Sequence, residues 1–194
     1  MRFRPHEWGA TMKKIPTIFE RDWNGDRSKV VDKPHPDCAW VFAGEGQPTR
    51  KIDGTSCAVI GGRFFKRLEI KSGKPKPPEF IELTHDTETD KIVGWIPVTG
   101  GPENKFHMEA FRPGMPDGTY ELVGPKIQGN PEKHQAHALV DHADEALIIR
   151  EHVPTEFAAL KAFLVGKDIE GIVWHHPDGR MVKIKLRDFG LKRP

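Results

Sequence analysis

The sequence predicts an α+β fold made of short antiparallel strands with flanking helices. Prolines and glycines interrupt the chain throughout, 17 and 19 of them among 194 residues. Interruption this frequent favours short strands joined by turns over a helical bundle. Two pairs of apolar segments also meet at glycine-containing turns, as the strands of a β-hairpin do. The best helical pattern lies in the C-terminal half of the chain.

Chain length and charge set the broad class of the protein. A chain of 194 residues can form one good-sized core, so we expect a single domain over residues 1–194. Lysine plus arginine number 30 and aspartate plus glutamate number 28. A nucleic-acid partner would therefore be held by local basic patches and not by the overall field of the protein.

The sequence predicts a cytoplasmic protein without membrane association. No apolar run approaches the length of a membrane span, and residues 1–11 lack a signal-like apolar stretch. The two cysteines, Cys38 and Cys57, lack C-x-x-C spacing. We expect both to be reduced thiols, with neither a disulfide framework nor a cysteine zinc site.

A first hairpin is predicted from two apolar segments, 56–60 and 63–70, joined by two glycines. If Ile60 pairs with Arg63, then Ser56 lies opposite Arg67, and cross-strand partners share a face of the sheet. Arg67 would then project beside the strand of Lys51.

A further strand and a helix follow. Residues 119–123 read as a strand between two turns, with Glu121 at its middle. A glutamate there is either exposed or salt-bridged, or it holds a ribose hydroxyl or a metal. Residues 154–165 read as a helix that begins with Pro154 and stops at Gly166.

A second hairpin is predicted over residues 170–186, with a four-residue turn at 176–179. This turn would pair Glu170 with Lys185 and Ile172 with Lys183, all on one face. The opposite face would be apolar. The arrangement is either a binding site or a solvated face with a cross-strand ion pair, and a one-residue bulge would break it.

Lys51-Ile52-Asp53-Gly54 is the most informative segment, because a lysine at this spacing can act as a covalent nucleophile toward a nucleotide. The pattern alone occurs by chance in roughly one such chain in twenty. A lysine with a pKa near 10.4 must lose its proton before it attacks, through nearby cations, desolvation or a metal. Gly54 allows close backbone approach, and Asp53 either orients the lysine or fixes the turn.

Three motifs in this order resemble signatures of the covalent nucleotidyltransferase superfamily, which comprises DNA ligases, RNA ligases and mRNA capping enzymes. The motifs are Lys51-x-Asp53-Gly54, Glu170-Gly171-Ile172-Val173 and Lys183-x-Lys185. Over about residues 15–194 the chain is most similar to small 5'-to-3' RNA ligases related to a vertebrate RNA ligase. The segments that carry this likeness are Pro48-Thr49-x-Lys51-x-Asp53-Gly54-Thr55, Gly94-Trp95-x-Pro97-Val98, Glu121-Leu122-Val123-Gly124, Gly129-Asn130-Pro131 and Ile169-Glu170-Gly171-Ile172-Val173-Trp174-His175.

The resemblance implies a nucleotidyltransferase (ATP-grasp-like) ligase core of antiparallel sheets with flanking helices. It also implies a three-step joining of RNA ends. Lys51 attacks the α-phosphate of ATP, the AMP passes to an RNA 5'-phosphate, and an RNA 3'-hydroxyl displaces it. Mg²⁺ is the expected metal, with Mn²⁺ as an alternative, because the ligands are hard oxygens.

The same resemblance assigns a role to each matching residue. Arg67 corresponds to the arginine that contacts the AMP ribose or the RNA phosphate. Glu121 corresponds to a glutamate near the ribose and metal, and Glu170 to the carboxylate that holds the catalytic metal directly or through water. The cofactor contacts it implies are completed by Thr49, Arg50, Asp53 and Gly54 beside the nucleophile, and by Lys183 and Lys185 on the α-phosphate.

Departures from the superfamily pattern restrict the function. Only nine residues follow Lys185, so we expect no C-terminal OB domain, which disfavours DNA ligation and capping. The leading hypothesis is an ATP-dependent RNA ligase in RNA repair. The alternatives are a DNA ligase or other nucleotidyltransferase, and a non-catalytic RNA-binding protein that retains the fold.

Overall fold

The computed structural model describes residues 15–86 and 89–193. The predicted absence of a signal-like stretch concerns residues 1–11, which lie outside this range. Within it, the chain divides into two compact units. The three-stranded unit comprises residues 15–52 and 145–193, and the six-stranded unit comprises residues 53–144.

The described residues confirm an α+β fold with antiparallel sheets. They form three α-helices, α1 Ala39–Phe42, α2 Lys105–Ala110 and α3 Phe157–Val165. Short 3-10 helices occur at Pro36–Cys38, Pro102–Asn104, Glu145–Leu147 and Leu186–Phe189. The strands are β1 Phe19–Arg21, β2 Val30–Pro34, β3 Gln47–Lys51, β4 Thr55–Ile60, β5 Arg63–Lys71, β6 Ile81–Asp86, β7 Lys91–Pro97, β8 Gly118–Val123, β9 Ala138–Asp141, β10 Gly171–His175 and β11 Met181–Lys185.

The three-stranded unit is built on an antiparallel sheet in the order β11-β10-β3. Its inner face packs against α3, whose apolar residues Leu160 and Leu164 are fully buried. Ile172 and Ile184 are fully buried on the sheet side of the same core. Side chains alternate along each strand, so the burial of this face directs the intervening residues to the opposite face.

The six-stranded unit is one antiparallel sheet in the order β6-β7-β5-β4-β8-β9. Apolar clusters form on both sides of it. Cys57 and Leu122 belong to one cluster, whereas Ala58 and Trp95 belong to the other. Alternation along β4 explains the division, because Cys57 and Ala58 are neighbours in sequence and point to opposite faces.

Several predicted elements are confirmed. The first hairpin has Gly61 and Gly62 as its two-residue turn, and Ile60 pairs with Arg63. The strand around Glu121 is β8, and Gly166 ends α3. The helix itself begins at Phe157 and not at Pro154, because Glu156 is its extended N-cap.

The predicted register of the second hairpin is wrong by one residue. Gly171, and not Glu170, pairs with Lys185, and Val173 pairs with Lys183. Five residues separate the last strand pair, His175 and Met181. Within them the His176 N–H donates to the Arg180 carbonyl at 2.9 Å and Gly179 has a positive φ of 97°, which is the geometry of a hairpin loop with a left-handed glycine. The lysines therefore share their face with Gly171 and Val173, while Ile172 and Trp174 join the buried face.

Candidate active site

Lys51 and Lys185 flank one glycine across three strands. Gly171 on the central strand β10 pairs with Lys51 on β3 and with Lys185 on β11. Directly paired residues of an antiparallel sheet present their side chains on the same face. Sheet register alone therefore brings together two lysines that are 134 positions apart in sequence.

The Glu170 carboxylate bridges these two lysines. Its Oε2 atom lies 2.5 Å from Lys51 Nζ, and its Oε1 atom lies 2.8 Å from Lys185 Nζ. Glu170 precedes β10 by one residue, so it reaches both ammonium groups despite the shifted register. All three side chains are at most 20% exposed. We call Lys51, Glu170 and Lys185 the lysine cluster. Its two ammonium groups and one carboxylate give it a net charge of +1.

The protonation of Glu170 follows from two opposing effects. Burial alone would raise the pKa of this carboxyl, but attraction to Lys51 and Lys185 outweighs burial and lowers the pKa below its usual value. Glu170 is therefore ionised at neutral pH. Burial also lowers the pKa of Lys185, and repulsion by Lys51 adds to that effect against the attraction of Glu170. The carboxylate thus holds together two cations that repel each other.

Only glycine fits at position 171. A Cβ atom built on Gly171 would lie 2.0 Å from the Ile184 carbonyl oxygen and 2.8 Å from Lys185 Cα. Both contacts are with backbone, so no side-chain rotation relieves them. The close approach of β11 to β10 that places Lys185 beside Glu170 therefore depends on this glycine.

A second row of residues lies beside the lysine cluster on the same face. Thr49 pairs with Val173, which in turn pairs with Lys183. The Thr49 hydroxyl donates to the Val173 carbonyl at 3.1 Å, and its oxygen lies 3.0 Å from His175 Nε2. Because the single hydroxyl proton is already donated, His175 Nε2 carries the proton of this bond. His175 lies within a motif of the sequence, but its contact with Thr49 was not predicted.

Asp188 and Arg21 hold the end of β11 and were not predicted. The buried Asp188 carboxylate accepts the Lys185 backbone N–H at 2.8 Å and pairs with Arg21 Nη1 at 2.8 Å. This contact fixes the backbone from which the Lys185 side chain departs. An aspartate three residues after a candidate lysine was the only sequence signal, and its partner is 167 positions away.

Arg50 lies on the opposite face of β3 from Lys51 and Thr49. It pairs with Ile172, whose side chain belongs to the buried face. Its side chain lines a separate recess of the three-stranded unit. The structure thus separates Arg50 from the lysine cluster, although the two are adjacent in sequence.

Asp53, Gly54 and Glu121 belong to the six-stranded unit. A Cβ atom on Gly54 would lie 2.2 Å from the Leu122 carbonyl oxygen, so this glycine permits close approach to β8. The Asp53 backbone N–H donates to Glu132 Oε1 at 3.2 Å. Glu121 is buried, and its Oε2 atom lies 3.0 Å from His142 Nε2. Glu121 thus has a hydrogen-bonding partner in His142, and a role in holding a ribose hydroxyl or a metal stays a prediction.

Arg67 lies on β5 of the six-stranded unit, whereas Lys51 lies on β3 of the three-stranded unit. Its Nη2 atom donates to Glu69 at 2.9 Å. It pairs across the sheet with Trp95, which is fully buried. Within the described part of the chain, Arg67 Nε and Trp95 Nε1 are buried and donate no hydrogen bond. Two N–H donors on paired residues are therefore available to an oxygen acceptor.

Metal-ligand clusters and membrane spans are absent from residues 15–86 and 89–193. No three histidine, cysteine, aspartate or glutamate side chains lie together as a metal site. In the same range, no helix has the length and apolar character needed to cross a membrane. Cys38 and Cys57 are buried and form no disulfide.

The chain is similar to proteins that share one description. The family model described as RNA ligase 1 matches residues 112–194. RNA ligase 1 of Danio rerio is 39% identical over 85 residues, which cover 39% of this chain and 25% of that protein. RNA ligase 1 of Pongo abelii is 38% identical over 223 residues, covering 76% of this chain and 68% of that protein. RNA ligase 1 of Rattus norvegicus is 27% identical, covering 66% and 47% respectively.

These likenesses define the class as RNA ligases, in agreement with the motifs in the sequence. The chain belongs to the RNA ligase 1 family. It spans between a quarter and about two thirds of the length of these relatives.

Proposed function

We propose that this protein is an ATP-dependent RNA ligase that joins 5'-phosphate and 3'-hydroxyl RNA ends in RNA repair, through AMP covalently bound to Lys51. The observation that carries the proposal is the lysine cluster, in which Lys51 and Lys185 both contact Glu170. A buried carboxylate between two lysines with a net positive charge suits an anionic substrate. The family and the names of its relatives support RNA as the acceptor.

In the proposed first step, the unprotonated Lys51 amine attacks the α-phosphorus of ATP. A P–N bond forms, the P–O bond to the β-phosphate breaks, and pyrophosphate leaves with the electron pair, while the attacking nitrogen releases one proton to solvent. Glu170 orients the lysine and is a weak base, since its pKa is lowered. Lys185, with Lys183 on the same face, faces the charge that develops on the α-phosphate.

The two later steps return Lys51 to its starting state. An oxygen of the RNA 5'-phosphate attacks the phosphorus of lysyl-AMP, the P–N bond breaks, and a phosphoanhydride joins AMP to the RNA end. The 3'-hydroxyl of the second end then attacks the RNA 5'-phosphorus, and AMP leaves with the electrons of the broken P–O bond. The product is a phosphodiester. Arg67 and Glu121 are proposed to contact the nucleotide ribose or the RNA phosphate.

The residues fit Mg²⁺ bound mainly by substrate and water. Glu170 uses one contact per oxygen for the lysines, which leaves lone pairs for a metal or a metal-bound water. Glu121 likewise retains one oxygen beside its contact with His142. Mg²⁺ is commonly bound through one or two carboxylates plus phosphate oxygens and waters, so a dense protein ligand cluster is not required. When bound, the ion neutralises phosphate charge during transfer.

Covalent adenylation is the decisive experiment. We expect intact-protein mass spectrometry after incubation with ATP and Mg²⁺ to show one added AMP, and Lys51→Ala to show none. Glu170→Ala and Lys185→Ala should each impair adenylation while the protein remains folded. Sealing of 5'-phosphorylated RNA, compared with DNA of the same sequence, then tests the acceptor.

Four outcomes would contradict the proposal. No AMP on wild-type protein purified free of adduct would favour a non-catalytic RNA-binding protein. Equal uptake by Lys51→Ala would place the adduct on another residue. An adduct formed only with GTP, or sealing of DNA without RNA, would indicate another nucleotidyltransferase or a DNA ligase.

A further inference from the structure

A recess of about 390 Å³ lies in the three-stranded unit on the Arg50 side of β3. The segment from residue 146 to residue 151 forms one wall and runs beside β3, where the Ile149 N–H donates to the Pro48 carbonyl at 3.0 Å. Phe163 and Lys167 near the end of helix α3 contribute another wall, with Ile169 beside them. This volume is within the range of small-molecule and nucleotide sites.

The recess combines an apolar floor with a cationic rim. Its half-buried floor contains Leu147, Ile148, Ile149, Phe163 and Ile169. Arg50, Arg150 and Lys167 line it together with one acid, Glu151. Arg50 has an interaction partner of its own, and Arg150 and Lys167 against Glu151 leave one net positive charge at the rim. Apolar surface beside excess positive charge complements a base attached to a phosphate.

Lys167 and Arg150 are the cationic side chains of the recess that a ligand can reach. Lys167 Nζ lies 2.7 Å from Glu151 Oε1 and 5.0 Å from the centre of the Phe163 ring. Arg150 is exposed at the rim. An exposed pair such as Lys167 and Glu151 contributes little to stability, so an incoming phosphate can compete for the ammonium group.

We infer that this recess binds one nucleotide unit of single-stranded RNA away from the ends being joined, with its phosphate at Arg150 and Lys167 and its base against the apolar floor. The inference rests on the proposed RNA ligase function. The recess opens on the opposite face of β3 from the Lys51 side chain, so it is separate from the lysine cluster. It would hold the strand while Lys51 acts on an end.

Salt dependence of RNA binding tests the inference. Fluorescence anisotropy with labelled single-stranded RNA, without ATP or Mg²⁺, would compare wild type with Arg150→Gln and Lys167→Gln. Losing one phosphate contact reduces the slope of log affinity against log salt by about 0.7, equivalent to about eightfold weaker binding at 0.05 M salt. Lys161→Gln is the matched control, because Lys161 is exposed on helix α3, which ends two residues before Lys167, but does not line the recess.

The expected result is a reduced slope in both recess variants, an unchanged slope in Lys161→Gln, and adenylation by ATP as in wild type in all three. Thermal unfolding followed by circular dichroism checks that Lys167→Gln remains folded. Unchanged slopes in Arg150→Gln and Lys167→Gln overturn the inference and favour another occupant, such as an acidic protein segment. Displacement of the RNA by AMP in wild type but not in Arg150→Gln overturns it in favour of a free nucleotide. Failure of wild type to take up AMP instead contradicts the proposed function.

Discussion

The two units differ in how their charged side chains are paired and buried. In the three-stranded unit, Lys51 and Lys185 come from distant parts of the chain and share the carboxylate of Glu170. In the six-stranded unit, Arg67 pairs with Glu69 two residues away, and Glu121 pairs with His142. Glu69 also lies 3.2 Å from Lys91 Nζ, but these three side chains are 34–45% exposed, whereas those of the lysine cluster are at most 20% exposed. The excess positive charge of the lysine cluster is therefore shielded from solvent, and that around Glu69 is screened by it.

This difference indicates which unit would gain more free energy by binding an anion. Burying two ammonium groups around one carboxylate is costly, because desolvation and mutual repulsion oppose it. A substrate phosphate would relieve that repulsion. The six-stranded unit instead offers two buried N–H donors, the cationic Arg67 Nε and the neutral Trp95 Nε1, to an oxygen acceptor.

The largest effect is expected from Gly171→Ala, which would force β10 and β11 apart. The added methyl group would lie 2.0 Å from the Ile184 carbonyl oxygen. We expect the free energy of unfolding to fall by about 1–3 kcal/mol and the adenylation rate to fall at least tenfold, because Lys185 would move from Glu170. Urea unfolding and quantitative adenylation would measure the two effects.

Two other glycines make the comparison sharper. A Cβ atom on Gly100 meets nothing within 4 Å, so Gly100→Ala should change neither quantity. Gly54→Ala should strain the six-stranded unit, where its methyl group would lie 2.2 Å from the Leu122 carbonyl oxygen. Normal stability and adenylation in Gly171→Ala would show that the close approach of β11 is not required.

Local sequence patterns predicted the hairpins but not their partners. Gly61 and Gly62 specify a two-residue turn through local backbone preferences, and the pairing of Ile60 with Arg63 followed from it. The second turn contains one residue more than predicted, with Gly179 in the left-handed region and the His176 N–H bonded to the Arg180 carbonyl. Because of this one residue, Ile172 and Trp174 lie on the buried face and not on the face of the lysines, where they were predicted.

Long-range pairing was beyond the reach of local patterns. The alternation of Val182, Ile184 and Leu186 correctly predicted that Lys183 and Lys185 share a face. Nothing local to residues 47–51 indicates that this strand pairs with β10, about 120 positions later. The ion pair between Arg21 and Asp188 could not be predicted for the same reason, because tertiary packing and not local propensity determines it.

Lowering the pH should reduce the stability contributed by His107 in one unit and by Glu170 in the other over different pH ranges. Burial, aided by repulsion from Lys66, lowers the pKa of His107 in the six-stranded unit from 6.5 to about 4. The unfolded chain therefore takes up this proton first, and stability falls as pH drops from 6.5 to 4. Glu170 has a lowered pKa, so its stabilising contribution is present above its usual value of 4.5 and is lost below that pH.

Urea unfolding of wild type and His107→Gln at pH 7.5 and pH 5 would measure the His107 contribution. From pH 7.5 to pH 5, we expect the free energy of unfolding to fall by about 1–2 kcal/mol less in His107→Gln than in wild type. The full linkage value is discounted here, because His107 is only half-buried. His152→Gln is the control, because His152 is exposed in the three-stranded unit. An equal loss in wild type and His107→Gln would exclude His107 as the source.

The smallest effect is expected from two threonine variants that remove equivalent hydroxyl groups. Thr49 contacts His175 in the three-stranded unit, and Thr119 Oγ1 lies 3.1 Å from His142 Nδ1 in the six-stranded unit. Each change to valine should cost about 1 kcal/mol of stability, the typical net value of one hydrogen bond. Thr49→Val should also slow adenylation several-fold, because Thr49 lies on the face of the lysine cluster and two residues from Lys51. Equal adenylation rates in wild type and Thr49→Val would limit the role of the hydroxyl to packing β3 against β10.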